Sequence, residues 1–501
     1  MEDREEIKES DVKNDMVDNQ EEKKKPGILA GFLQFFYGNF VVLLLGFVSL
    51  PLMTRVLSTQ EYGRTSLFSS VVSIIYIFAI LGLDQAYIRY FYKENVDERK
   101  LFWDCLMAPL GLILVLASVY FIFADYFNQI LFERSGLDIT LLVVGYTITS
   151  VFERFLFLNI RMEQRGKLYS NLNILSKLLY ILVAVIFVYI LGDDFRVGLY
   201  ALTLPLMIVT GGLLIRFIII GKGRESTSHN VSKKELLRYG VPFVPMLLME
   251  WLLSSMDKWS IRFFNDFAQI GIYSAAMQIM TILLTFKITY VAFWSPIAME
   301  KYEKEPEEKV KPFFADMFQK VQFLCMLAAF GLTVCRQIIV LILGSSYREA
   351  VKIIPFLSLM PILSILFEMT GQGVKFKGKI VYFNYASFAA IICNLVGNTL
   401  LVPYLKGIGA AMATAATYIV YFIIGTYFAN KCYKVRYDFK KFVIGLAAFI
   451  AYAAYATFTD NEIISVGIGI LLAIGLIILN INVVKELIDY ALGFINKIRN
   501  K

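Results

Sequence analysis

Apolar runs long enough to cross a bilayer recur along this chain from residue 31 to residue 483, separated by short polar links. A spanning helix needs about 20 such residues at a rise of 1.5 Å each. Backbone polar groups in hydrocarbon must be satisfied within their own segment, so runs of this length read as helices. About fourteen qualify, near residues 31–53, 66–88, 105–124, 139–159, 169–192, 197–220, 239–260, 269–296, 318–344, 350–369, 381–403, 407–429, 441–458 and 463–483. Of 501 residues 58% are hydrophobic and 18% charged, with a mean hydropathy of +0.63, more apolar than soluble domains. The chain reads as an all-α polytopic membrane protein.

Lys and Arg crowd alternate links. Residues 89–100, 222–238 and 431–441 carry several each, whereas the links between hold few, and TDNE at 459–462 holds none. By the positive-inside rule both termini are expected on the cytoplasmic side, in a bacterial inner or plasma membrane. Residues 1–27 are acidic and poor in large apolar side chains, as in a disordered cytoplasmic tail. They lack the pattern of a cleavable signal, so the first helix is expected to remain as an anchor. Residues 484–501 read as a basic amphipathic helix on the inner leaflet. The net charge of +8 lies mostly in these links and does not call for a nucleic-acid partner. One histidine, His229, and five cysteines without ligand spacing give no reason to expect a metal, a cofactor or His-based catalysis.

The chain also repeats itself. TRVLSTQEYGRTSLFSSVVSI, after the first run, aligns with IRFFNDFAQIGIYSAAMQIMTI after the seventh, pairing Arg55 with Arg262, Gly63 with Gly271 and Ser66 with Ser274 across one gap. Two six-helix blocks at 28–222 and 235–432 follow, with a terminal helix pair at 440–483. Duplicated halves with a site between them are a common transporter plan.

The segments SLPLMTRVLSTQEYGRTSLFSS, LGLDQAYIRYFY and SMDKWSIRFFNDFAQIGIYSAA resemble the polysaccharide-exporter branch of the multidrug, oligosaccharidyl-lipid and polysaccharide (MOP) flippase superfamily. The resemblance covers most of residues 30–430. It implies two lobes around a central cavity, alternating access, and movement of an undecaprenyl-pyrophosphate-linked oligosaccharide from the inner to the outer leaflet. Membrane lipids and polysaccharide-assembly proteins would be the other partners. A cation-coupled multidrug exporter is the alternative within the superfamily, and a membrane oligosaccharide polymerase or ligase the alternative outside it. The short outer links and the lack of a nucleophile–base set argue against an enzyme.

A charge near the middle of a spanning helix costs roughly 2.5–3.5 kcal/mol on insertion scales, so it needs a partner or a wet cavity. Glu153 and Arg154 lie in the fourth run and Lys177 in the fifth. Arg154 follows Thr147 and Ser150 at helical spacing, and Lys177 lies between Asn173 and Tyr180. With Lys287 on the eighth run, Arg154 and Lys177 are the expected pyrophosphate ligands, Arg as a fork and Lys as point charges. Asp84, Glu250, Asp257 and Glu368 are candidates either for coupling to a proton or sodium ion or for charge pairing, for instance Glu250 with Lys287 or Asp84 with Arg89. Ser387, Asn394 and Asn398 share a face suited to glycan hydroxyls, or to bonds between helices.

Overall fold

A computed structural model describes residues 28–93, 96–220 and 231–499. The acidic tail 1–27, His229 and residues 500–501 of the expected amphipathic segment lie outside this range. Among the described residues, thirteen helices are long and apolar enough to cross a membrane. The longest, Val381–Cys432, is a hairpin: Lys406 (φ 52°, ψ −130°) breaks its helical path. Gly397 lies against Ala413 and Gly409 against the Leu401 carbonyl, so the two arms run back on each other. Counted separately, the arms make fourteen spanning segments, in agreement with the apolar runs.

These are α1 (Ile28–Val56), α2 (Thr59–Ile80), α3 (Glu98–Ile122), α4 (Leu137–Met162), α5 (Gly166–Leu191), α6 (Arg196–Ile220) and α7 (Val244–Phe264). They continue as α8 (Phe267–Lys304), α9 (Glu307–Val334), α10 (Ala350–Leu357 with Leu359–Thr370), α11 (381–405), α12 (407–432), α13 (Lys440–Phe458) and α14 (Glu462–Leu479). Side-chain caps start several of them. Ser58, Asp97, Asp266 and Asn461 each accept a hydrogen bond from a first-turn backbone N–H, relieving donors that the helix leaves unpaired.

Helices α1–α6 pack chiefly on one another, as do α7–α12; α13 and α14 rest on α9 and α10. Fully buried Arg336 ties that last pair down, donating to the Ala456 carbonyl at 3.3 Å, Glu462 Oε2 at 2.5 Å and Ser465 Oγ at 3.1 Å. The C-terminal helix Ile481–Arg499 returns to α9 through a Lys320–Glu486 ion pair at 2.9 Å.

The two bundles meet mainly where α2 crosses α8. A Cβ on Gly63 would lie 2.0 Å from the Phe267 carbonyl, and one on Gly271 would lie 1.9 Å from the Thr59 carbonyl. Only glycine permits so close an approach of two backbones. Ser66 and Ser274, three residues further along each helix, share a hydrogen bond at 2.7 Å. The glycines and serines paired by the sequence repeat thus touch in space.

Beside this crossing, at the end of the molecule away from the start of α1 (the distal end), Tyr347 Oη donates to the carbonyls of Leu57 (2.9 Å) and Ser58 (3.0 Å). The Gly344 N–H donates to Thr54 Oγ1 at 3.3 Å. At the opposite, proximal end α2 breaks at Leu81 and Gly82, both left-handed (φ 52° and 65°), before a short helix Leu83–Tyr90. A Cβ on Gly82 would fall 2.2 Å from the Gly240 carbonyl, so the break seats on the backbone leading into α7.

Candidate functional site

Between the bundles lies a cavity of about 660 Å³. It draws on α1, α2, α4, α5 and α6 from one side and α7, α8, α10 and α12 from the other. Its polar lining is mostly hydroxyl and amide: Ser49, Tyr62, Ser69 and Asn173 from the first bundle, Ser254, Gln278 and Thr281 from the second. Tyr62 also stacks edge-on with Tyr347 at 5.8 Å, which places the distal closure directly against the cavity wall.

Three ionisable groups with formal charge line this space: Lys177, Lys258 and Glu153. Lys177 comes from α5 on the stripe read from the sequence, with Asn173 and Tyr180 beside it in the wall, and its Nζ lies 4.2 Å from the centre of the Tyr180 ring. Lys258 enters from α7, in the other bundle. Neither lysine is in an ion pair among the described residues. Lys258 lies at the fading edge of the seventh apolar run, 239–260, where hydropathy gives it no face. The helix continues to Phe264, so Lys258 sits within its helical path and turns to the cavity.

The other two expected pyrophosphate ligands are not brought to Lys177. Arg154 turns away from the cavity and grips Asp84, with Nη2 at 2.6 Å and Nε at 3.1 Å from Oδ2. The neighbouring Glu153 faces the cavity instead, since one helical step swings a side chain by about 100°. Lys287 pairs with Glu368 at 3.4 Å, and Lys375 reaches the same carboxylate at 2.9 Å. The pairings differ from those suggested by sequence proximity. Asp84 takes Arg154 rather than Arg89, which instead lies 5.0 Å from the Tyr239 ring centre. Glu250, exposed on α7, has no ion-pair partner among the described residues, and Lys287 takes Glu368 in its place.

A second polar centre is buried within the second bundle. Asp257 is 2% exposed. Its Oδ2 accepts from Thr414 Oγ1 at 2.6 Å and from the Tyr273 hydroxyl; its Oδ1 accepts from Asn398 Nδ2 at 2.8 Å and Asn394 Nδ2 at 3.1 Å. Asn398 Oδ1 is buried without a hydrogen-bond partner. The polar stripe on α11 that suited a glycan by its spacing is therefore turned inward: Asn394 and Asn398 form the shell of a carboxylate. Ser387, the third member, is half-buried beside Tyr421, away from Asp257. Amide N–H and hydroxyl O–H donors thus satisfy the carboxylate on both oxygens, the unpartnered Asn398 Oδ1 is a further acceptor beside it, and a carboxylate buried in a spanning bundle suits a proton or an ion.

Residues 28–300 match the family model described as polysaccharide biosynthesis protein. The chain belongs to the polysaccharide biosynthesis protein family. Over 498 residues it is 25% identical to an uncharacterized membrane protein of Methanocaldococcus jannaschii, covering 88% of this chain and 96% of the relative. Over 414 residues it is 20% identical to a probable low-salt glycan biosynthesis flippase of Haloferax volcanii, covering 82% and 85%. Both relatives are archaeal. Among solved structures, this family member overlays the lipid II flippase MurJ in an inward closed conformation with a TM-score of 0.62 at 14% identity, covering 89% of this chain and 98% of MurJ. An outward-facing multidrug resistance MATE transporter of the MOP superfamily overlays at 0.55 and 15% identity, covering 81% and 97%. The polysaccharide biosynthesis family member is thus a multi-pass membrane protein with the MOP transporter fold, one of its relatives being a probable glycan flippase and its structural neighbours a flippase and a transporter.

Proposed function

We propose that the protein is a flippase for a lipid-linked oligosaccharide, moving a polyprenyl-pyrophosphate glycan from the cytoplasmic to the outer leaflet by alternating access, with undecaprenyl pyrophosphate as one carrier of that class. The observation that carries this reading is the pair Lys177 and Lys258: two cations from opposite bundles, free of ion pairs among the described residues, in one cavity whose remaining polar lining is suited to sugars. An anionic headgroup crossing roughly 30 Å of hydrocarbon needs cations and donors inside the protein, while its tail stays in lipid. Lys177 and Lys258 would bind the pyrophosphate from its two sides, and hydroxyls such as Ser69, Ser254 and Thr281 would bind the first sugars.

In this cycle residues 28–222 and 235–432 act as the two moving lobes, with both termini in the cytoplasm. The α2–α8 crossing and the Tyr347 contacts close the distal side. Asp257 with Asn394, Asn398, Tyr273 and Thr414 is the coupling centre, taking a sodium ion or a proton and joining α7, α8, α11 and α12 when loaded. A carrier of lipophilic cations is the weaker reading, because the cavity sets two lysines against the single carboxylate of Glu153.

The test is flipping in proteoliposomes, read as loss of a fluorescent polyprenyl-diphosphate glycan from the leaflet accessible to a quencher. K177Q and K258Q should each reduce the rate at least tenfold, and the arginine replacements should retain more activity than the glutamines. Wild-type flipping by K177Q/K258Q would refute the pyrophosphate role.

A further inference from the structure

A basic concavity lies at the proximal end, away from the central cavity. Between α12 and α13, residues 433–439 lie outside the helices, starting extended at Tyr433, and buried and exposed side chains alternate over 433–436. Tyr433 and Val435 are buried in a cluster with Trp294 and Phe314, while Lys434 and Arg436 are exposed. The segment is held at both ends: the Val435 N–H donates to Asn430 Oδ1 at 2.8 Å, and the Asp438 carbonyl accepts from Gln319 Nε2 at 2.6 Å. The two cations therefore have a fixed backbone beneath them.

They share a concavity of about 470 Å³ with Lys311, over a floor of Pro312 and Ala315 from the first turns of α9. Lys311 has an acidic partner in Glu307, but Lys434 and Arg436 have none among the described residues. Depth comes from the aromatic rings. Tyr433 meets Tyr302 edge-on at 5.3 Å and Phe376 at 5.6 Å in the cluster that holds Trp294, and Lys311 Nζ lies 5.3 Å from the centre of the Tyr433 ring. Tyr and Trp gather where a membrane protein meets the headgroups. A concave basic site with two unpaired cations beside the paired Lys311, over an apolar floor and next to an aromatic cluster at the ends of spanning helices, matches one ligand class.

We infer that Lys311, Lys434 and Arg436 bind the phosphodiester headgroup of an anionic membrane lipid, with the Arg436 fork on the phosphate oxygens and the lysines as point charges. The bound lipid would join the start of α9 to the α12–α13 link and so fix the terminal helix pair against the second bundle. This site is independent of what the central cavity carries.

The test uses the full-length protein in phosphatidylcholine nanodiscs with graded phosphatidylglycerol, counting co-purified lipid by native mass spectrometry and following thermal unfolding. Removing two cations near a charged membrane should lower phosphatidylglycerol retention by K434Q/R436Q about thirtyfold. K440Q/K441Q, which loses the same charge just outside the pocket, should retain it, and inorganic phosphate should not raise the melting temperature. Unchanged retention by K434Q/R436Q, or equal loss from both double variants, would overturn the site. Stabilisation by inorganic phosphate equal to that by phosphatidylglycerol would overturn the lipid assignment in favour of a soluble anion.

Discussion

Ser66 and Ser274 hydrogen-bond to each other at 2.7 Å although 208 positions separate them in the chain. The same offset relates the two adjacent glycine contacts to each other: Gly63, against the Phe267 carbonyl, corresponds to Gly271, against the Thr59 carbonyl. The repeat in the sequence is therefore a contact between equivalent positions of the two bundles, and it lies beside the distal closure.

Oxidation of S66C/S274C should form a disulfide, because the two hydroxyl oxygens already lie at hydrogen-bonding distance and a disulfide needs closely approaching Cβ atoms. With the distal side locked, flipping should stop and should return on reduction. Crosslinking without loss of transport would show that α2 and α8 need not separate.

Gly63→Val and Gly271→Val place a side chain where backbone already stands. Each should destabilise the closed form by about 1–3 kcal/mol, the usual cost of overpacking. Spin labels across the distal opening should report a wider distance distribution in both variants, and to a similar extent, since the contacts are reciprocal.

Tyr347→Phe removes a hydroxyl that donates to Leu57 and Ser58 but keeps the ring on Tyr62. A net loss of about 1 kcal/mol for a hydrogen bond should shift the population towards the distal-open form by about fivefold. The same distance measurement checks it, and an unshifted distribution would assign Tyr347 a packing role only.

Arg154→Gln leaves Asp84, 3% exposed, without its ion-pair partner. Removing one member of a buried pair costs about 3–5 kcal/mol; with the arginine itself 39% exposed, roughly 2 kcal/mol is expected here. D84N/R154Q should recover most of the lost melting temperature. Failure of that rescue would point to a direct role for Arg154 in substrate handling.

Asp257→Asn keeps the size of the side chain but not its charge. It should abolish any sodium or proton dependence of flipping while leaving binding of the substrate headgroup measurable. Coupling that survives this change would move the ion site elsewhere.

The spanning helices were legible because bilayer thickness sets their length, and the repeat was legible because a backbone crossing allows little but glycine at Gly63 and Gly271. The stripe Asn173, Lys177, Tyr180 was also found, since one straight helix presents it to one cavity. Partner choice was not legible. Asp84 lies near Arg89 in the chain but meets Arg154, which the turn of α2 at Leu81 and Gly82 brings to it. Asn394 and Asn398 needed knowledge of where Asp257 sits, and Lys258, although inside its apolar run, needed knowledge of which face of α7 meets the cavity. Helical spacing fixes faces, and tertiary packing decides what each face meets.

The glycine contacts are reciprocal, each glycine facing a carbonyl of the opposite helix, and the serine pair joins equivalent positions of the repeat. Loosening one member of such a set leaves its counterpart in place, so in the proposed cycle they would part together. Tyr347 and Gly344, which lack such a counterpart, can yield gradually, whereas the α2–α8 crossing would release as a single cooperative step and make the distal opening abrupt.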